Sequence, residues 1–141
     1  LGRSRCRYIE TPYLAHARTH LAAARPPASR GSVSVGYSAA TFGHNIMMAH
    51  GFVAWRKALR NACGGARGAG PPNHTACEYV WVSMSGRGAD KALPLYARSD
   101  FCLQPPGDAL PRGGIIDAVT TGCVPVLLHP LQARLWRGHW D

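Results

Sequence analysis

Between Gln104 and Asp117 the chain reads Gln-Pro-Pro-Gly-Asp-Ala-Leu-Pro-Arg-Gly-Gly-Ile-Ile-Asp. A strand that ends in Pro-Pro-Gly-Asp lifts off its sheet. A helix starting near Arg112-Gly113-Gly114 leaves its first amides without intrahelical acceptors. Those amides, at the positive end of the helix dipole, suit an anion. Arg112 adds a planar fork that matches phosphate oxygens, and Gly113 and Gly114 let a ligand approach the backbone closely. One turn on, Asp117 stands among Ile115, Ile116, Ala118 and Val119. A carboxylate on a mostly apolar helix needs a partner, because burying it unpaired is strongly unfavourable. Ribose hydroxyls would satisfy it. Diphosphate at the helix start with ribose at the acid is therefore a consistent geometry for a nucleotide. Each residue also has a plainer reading: Gly113-Gly114 as loop slack, Arg112 as a solvated cation, Asp117 as an acid paired within the fold. Asp108 reads as a turn residue or an approach to the helix.

The surrounding pattern supplies the scaffold. Residues 32–37 alternate small polar with apolar side chains and predict a strand. Residues 45–62 carry Ile46, Ala49, Val53, Leu59 and Ala62 at helical spacing, with Asn45 as N-cap and Gly64-Gly65 as the stop. Residues 79–82, 100–104 and 123–128 predict three more strands. Residues 90–98 predict a short helix with Pro94 near its first turn, and 113–121 a helix stopped by Gly122. The apolar run in 123–128 fits a strand covered on both faces. Pro125 has no donor for the ladder, which puts it at a strand end or on an edge. Strands alternating with helices predict an α/β domain with a Rossmann-like parallel sheet. Residues 1–31, rich in arginine and broken by Pro26-Pro27, read as a connection, and 32–141 as the domain.

The chain has 141 residues, 46% of them hydrophobic, and a net charge of +9. The charge is uneven: residues 1–70 hold ten basic residues and one acid, residues 71–141 six of each. A basic half raises the possibility of polyanion binding, but no nucleic-acid-binding motif accompanies it. No apolar stretch is long enough to span a bilayer. The five cysteines contain no C-x-x-C pair, which argues against structural zinc, and no D-x-D motif is present. Cys102 and Cys123 read as small buried hydrophobes. Cys63 and Cys77 flank a Gly/Pro-rich loop and would close it as a disulfide in an oxidising compartment. Asn73-His74-Thr75 in that loop is an N-glycosylation sequon. His16, His20, His44, His50 and His129 are bases by chemistry alone.

Ser99-Asp100-Phe101-Cys102-Leu103-Gln104-Pro105-Pro106-Gly107-Asp108, followed by Ile116-Asp117-Ala118 and Gly122-Cys123-Val124-Pro125-Val126, resembles the motif of the exostosin family of glycosyltransferases. Arg56, Leu59 and Cys63 resemble the family's helix that ends in a cysteine, and Tyr96 and Ser99 its approach to the motif. The resemblance implies the donor-binding, C-terminal half of a GT-B enzyme, truncated here. Such an enzyme transfers a sugar with inversion from a nucleotide-sugar donor to a glycan acceptor. It has no metal or other cofactor, and works on the luminal side of the Golgi membrane behind a transmembrane helix absent from this chain. Carried over, Arg112, Gly113 and Gly114 would hold the diphosphate and Asp117 would face the ribose. Family members of the plant type often carry Thr-Arg-Arg-Ser where this chain has Pro111-Arg112-Gly113-Gly114. That difference keeps open a non-catalytic module with the same fold.

Overall fold

The computed structural model describes residues 32–40, 51–65, 75–82, 88–107 and 110–135. The connection read in residues 1–31, together with His16, His20, His44, His50, Asn73 and Asp108, lies outside them. The elements are β1 (Val33–Ala39), α1 (Phe52–Gly65), β2 (Thr75–Trp81), α2 (Ala89–Tyr96), β3 (Ser99–Gln104), α3 (Gly113–Thr121) and β4 (Val124–Leu127), followed by a 3₁₀ turn at Gln132–Arg134. The four strands are parallel and run in the order β2-β1-β3-β4. The sheet therefore grows outward from β1 in one direction, then reverses and grows from β3 in the other. With right-handed crossovers, this reversal puts α1 on one face and α2 and α3 on the other. In agreement, α1 packs on β2 and β1, and α2 packs beside α3.

Two apolar clusters fill the faces. Tyr37, Ala39, Cys63 and Cys77 pack under α1 with Val35, Leu59, Tyr79 and Leu103. Leu95, Tyr96, Cys102, Ala118 and Cys123 pack under α2 and α3. The pleat of β3 divides its residues between the clusters, Leu103 going to the first and Cys102 to the second. An ion pair between Arg98 and Glu78 links the turn before β3 to β2.

Several boundaries differ from those the sequence predicts. α1 starts at Phe52 rather than near residue 45, because Gly51 adopts a left-handed φ of 69° that no continuous α-helix contains. Gly64 and Gly65 fall inside its last turn rather than beyond it. β2 begins at Thr75, four residues before the predicted Tyr79, where the Thr75 amide donates to the Ser32 carbonyl. Pro94 lies in the second turn of α2, not the first. It is on the exposed side of the helix, away from the packing on α3 and the sheet. α3 runs over the predicted residues. Gly122 follows it at φ 79°, with the Gly122 amide on the Val119 carbonyl and the Cys123 amide on the Ala118 carbonyl.

β4 is an edge of the described sheet, which suits Pro125, but it is not covered on both faces. Val124 is 54% exposed, and its register neighbour Phe101 is exposed as well. α1 lies over β1 and β2 and stops short of this half of the sheet.

The structure pairs Cys63 with Cys77 and Cys102 with Cys123. The second pair adds a bond that the reading of those two residues as small buried hydrophobes did not include. They are buried, and they are bonded to each other.

Candidate functional site

The reversal of strand order leaves a crevice between the carboxyl ends of β1 and β3, the place where open α/β sheets receive ligands. Backbone carbonyls cluster there, and two arginines from opposite faces hold them. Arg56, from α1 and only 5% exposed, donates from Nε to the Pro106 carbonyl (3.0 Å) and from Nη1 to the Ala40 carbonyl (3.1 Å). Arg112, in the extended conformation just before α3, donates from Nη1 to the Pro105 carbonyl (2.9 Å) and from Nη2 to the Ser38 carbonyl (3.2 Å). Each fork thus ties the end of β1 to the loop leaving β3. Tyr37 lies between them, its hydroxyl donating to the Arg56 carbonyl. Burial pushes its phenol up to about 12 against the opposing pull of Arg56 and Arg112, so it stays protonated at neutral pH.

Behind the crevice lies a buried polar chain. Gln104 Nε2 donates to the Tyr96 hydroxyl (3.2 Å), which is hydrogen-bonded to Ser38 Oγ (2.8 Å). Gln104 is fully buried, yet its Oε1 is the one buried side-chain polar atom without a partner among the described residues. That oxygen faces the start of α3. A Cβ on Gly114 would stand 2.9 Å from it, 3.4 Å from the Tyr96 hydroxyl and 3.7 Å from Arg112 Nη2. A side chain at 114 would therefore displace the Gln104 amide from its present position.

The predicted residues Arg112, Gly113, Gly114 and Asp117 come together on this element. The Arg112 side chain does not cap α3, and the first amide with an acceptor in its first turn is that of Ile115, which bonds the Arg112 carbonyl. Among the described residues no acceptor meets the amides of Gly113 and Gly114, the first donors of the helix. Asp117 is 3% exposed, lies on the buried side of α3 with Ile115 and Ala118, and is not without a partner in the fold. Arg112 is not the free solvated cation of its plainer reading. Two of its five N–H groups hold the backbone, and among the described residues the other three have no acceptor.

Gln132 closes the site from the β4 side. Its Oε1 accepts the amides of Leu128 and His129 (3.1 Å each), and its Nε2 donates to the Leu110 carbonyl two residues before Arg112. His129 Nδ1 accepts the Leu131 amide (3.2 Å), so the neutral ring carries its hydrogen on Nε2. Sequence reasoning did not reach the Gln104–Tyr96–Ser38 chain, the Gln132 bridge or the clamp made by Arg56. The only signals were an amide at a strand end, an amide after a loop, and an arginine three residues before the helix's next apolar position.

Comparison with known proteins agrees with the motif. The model of the Exostosin GT47 domain matches residues 10–136. A probable xyloglucan galactosyltransferase of Arabidopsis thaliana is 32% identical over 90 residues, 55% of this chain and 16% of that protein. A xyloglucan-specific galacturonosyltransferase of the same plant is 39% identical over 56 residues, 38% of this chain and 8% of that protein. A xyloglucan galactosyltransferase, also of Arabidopsis thaliana, is 42% identical over 41 residues, 29% of this chain and 7% of that protein. The chain therefore spans a small part of the length of the relatives it matches. No solved structure matches it.

Proposed function

The chain belongs to the exostosin GT47 family, and from that premise we propose that it is the donor-binding part of a glycosyltransferase. It binds a nucleotide sugar in the crevice between β1 and β3. The diphosphate lies on the Gly113 and Gly114 amides and the remaining N–H groups of Arg112, and the ribose lies toward Asp117. The helix start and the arginine meet the diphosphate charge without a metal. The sugar passes with inversion to a glycan hydroxyl, whose base belongs to another part of the protein. By analogy with the names of the Arabidopsis relatives, the sugar transferred is a galactose or a galacturonic acid and the acceptor a xyloglucan-like glycan. The two disulfides suit an oxidising secretory lumen, and the reading places the enzyme on the luminal side of the Golgi membrane. Among the described residues no helix is long and apolar enough to cross a membrane. The anchor would belong to other sequence.

The observation that carries this reading is the start of α3 at the reversal of strand order, where neither its first amides nor the Gln104 Oε1 behind them has a partner among the described residues. A non-catalytic module is the second reading, favoured by the two bonds that already engage Arg112 with backbone carbonyls. Calorimetric titration with UDP, GDP and their sugars separates the two. UDP is expected to bind, and Arg112→Ala to weaken it about tenfold or more, the loss of a charge-assisted hydrogen bond. Absence of binding by every nucleotide at millimolar concentration contradicts the donor site.

A further inference from the structure

α1 starts at the carboxyl end of β1, on the face of the sheet opposite α3, and its first turn carries an aromatic group that the donor site does not use. The rings of Phe52 and Trp55 are 6.1 Å apart, and Phe52 meets the His129 ring edge-on at 6.3 Å. Trp55 is 48% exposed. The one other indole among the described residues, Trp81, is 45% exposed and ends β2 at the same edge of the sheet. An exposed indole with a second ring and an imidazole beside it, at the edge of the sheet where the site lies, suits a ring-shaped ligand. The group is joined to the site on both sides. Arg56, next to Trp55, holds the Pro106 carbonyl, and Gln132 ties the His129 amide to Leu110 before α3.

We propose that Trp55, propped by the tilted Phe52 ring and with His129 beside it, forms a shelf that stacks a pyranose ring of the glycan acceptor. This rests on the glycosyltransferase reading for the identity of the acceptor. A β-linked pyranose presents a face of C–H groups that suits the negative face of an indole, with hydroxyls around its rim. The His129 Nε2–H supplies a donor for such a hydroxyl. A two-substrate transfer needs two subsites flanking one crevice. The diphosphate occupies the α3 side, and the shelf lies on the α1 side, open to solvent as a long polymer requires.

The test uses the full chain, titrated separately with a xyloglucan oligosaccharide and with UDP. Trp55→Ala is expected to weaken oligosaccharide binding about tenfold or more, to leave UDP affinity within about twofold, and to leave the circular dichroism unchanged; Trp55→Phe recovers most of the loss. Oligosaccharide affinity unaltered in Trp55→Ala, or no oligosaccharide binding at millimolar concentration, overturns the shelf. So does a loss of UDP affinity in Trp55→Ala, which would make the indole a platform for the base. If UDP fails to bind while oligosaccharide binding depends on Trp55, the donor site falls and the shelf stands.

Discussion

Replacing Arg56 with alanine is expected to lower stability by about 3 kcal/mol, with a drop in Tm of roughly 10 °C. The side chain is buried and fills two roles with one fork, holding the carbonyl of Ala40 after β1 and that of Pro106 after β3. Alanine leaves both carbonyls without their donor and opens a gap beneath them. Each buried group left unsatisfied costs about 1–3 kcal/mol, so the two carbonyls outweigh the loss of packing. Arg56→Lys is expected to recover less than half of the loss, since one ammonium cannot present the same fork to two separated carbonyls. Because Pro106 leads toward Arg112 and the start of α3, nucleotide affinity should fall along with stability. Urea denaturation monitored by circular dichroism checks the first effect. A change below about 1 kcal/mol would mean that water replaces the guanidinium at little cost.

The second large effect belongs to the bond between Cys102 and Cys123. These residues are 21 apart in sequence, and the loop they close holds the end of β3, the Pro105–Gly107 turn, Arg112 and all of α3. In the chain-entropy description, closing a loop of this size in the unfolded chain contributes about 3 kcal/mol. The double variant Cys102→Ala, Cys123→Ala is expected to lose that amount in urea denaturation. It also loses the cross-link between the middle of β3 and the start of β4. The backbone bonds of β3 with β1 and β4 remain, so the site geometry should survive in the fraction that folds. Equal stability of the double variant and the parent would show that the two cysteines are unbonded in the folded protein.

The legible parts of this fold are those where local chemistry and tertiary structure agree. α3 could be bounded from sequence because the Gly pair opens it and Gly122 closes it, and no competing pattern overlaps. β3 was legible from its apolar run and the proline pair that must end it. α1 was read as starting too early because apolar spacing continues back through Ile46 and Ala49, while the break depends on the φ of a single glycine. β2 was read as short because Thr75-Ala76-Cys77-Glu78 has no alternation; that stretch is a strand through pairing with β1 and its disulfide.

At the site, the short-range features were visible: the loop, the arginine, the glycines and the acid. The long-range ones were not. A buried Arg56 looks like its solvated neighbours Lys57 and Arg60 until β1 and β3 bring two carbonyls to it. Gln104 looks like the polar end of a strand until Tyr96 and Ser38 enclose it. A disulfide between Cys102 and Cys123 leaves no trace in an apolar run, since buried thiols and buried disulfides occupy the same kind of position.

The central claim is that the amides at the start of α3 receive the diphosphate of a nucleotide sugar. It is tested most directly by following the amide resonances of isotopically labelled protein while UDP is added. The account predicts that the Gly113 and Gly114 amides shift the most and saturate together by millimolar UDP, with smaller changes near Asp117. Saturable shifts elsewhere that leave Gly113 and Gly114 unmoved, or no shifts at all, would contradict it.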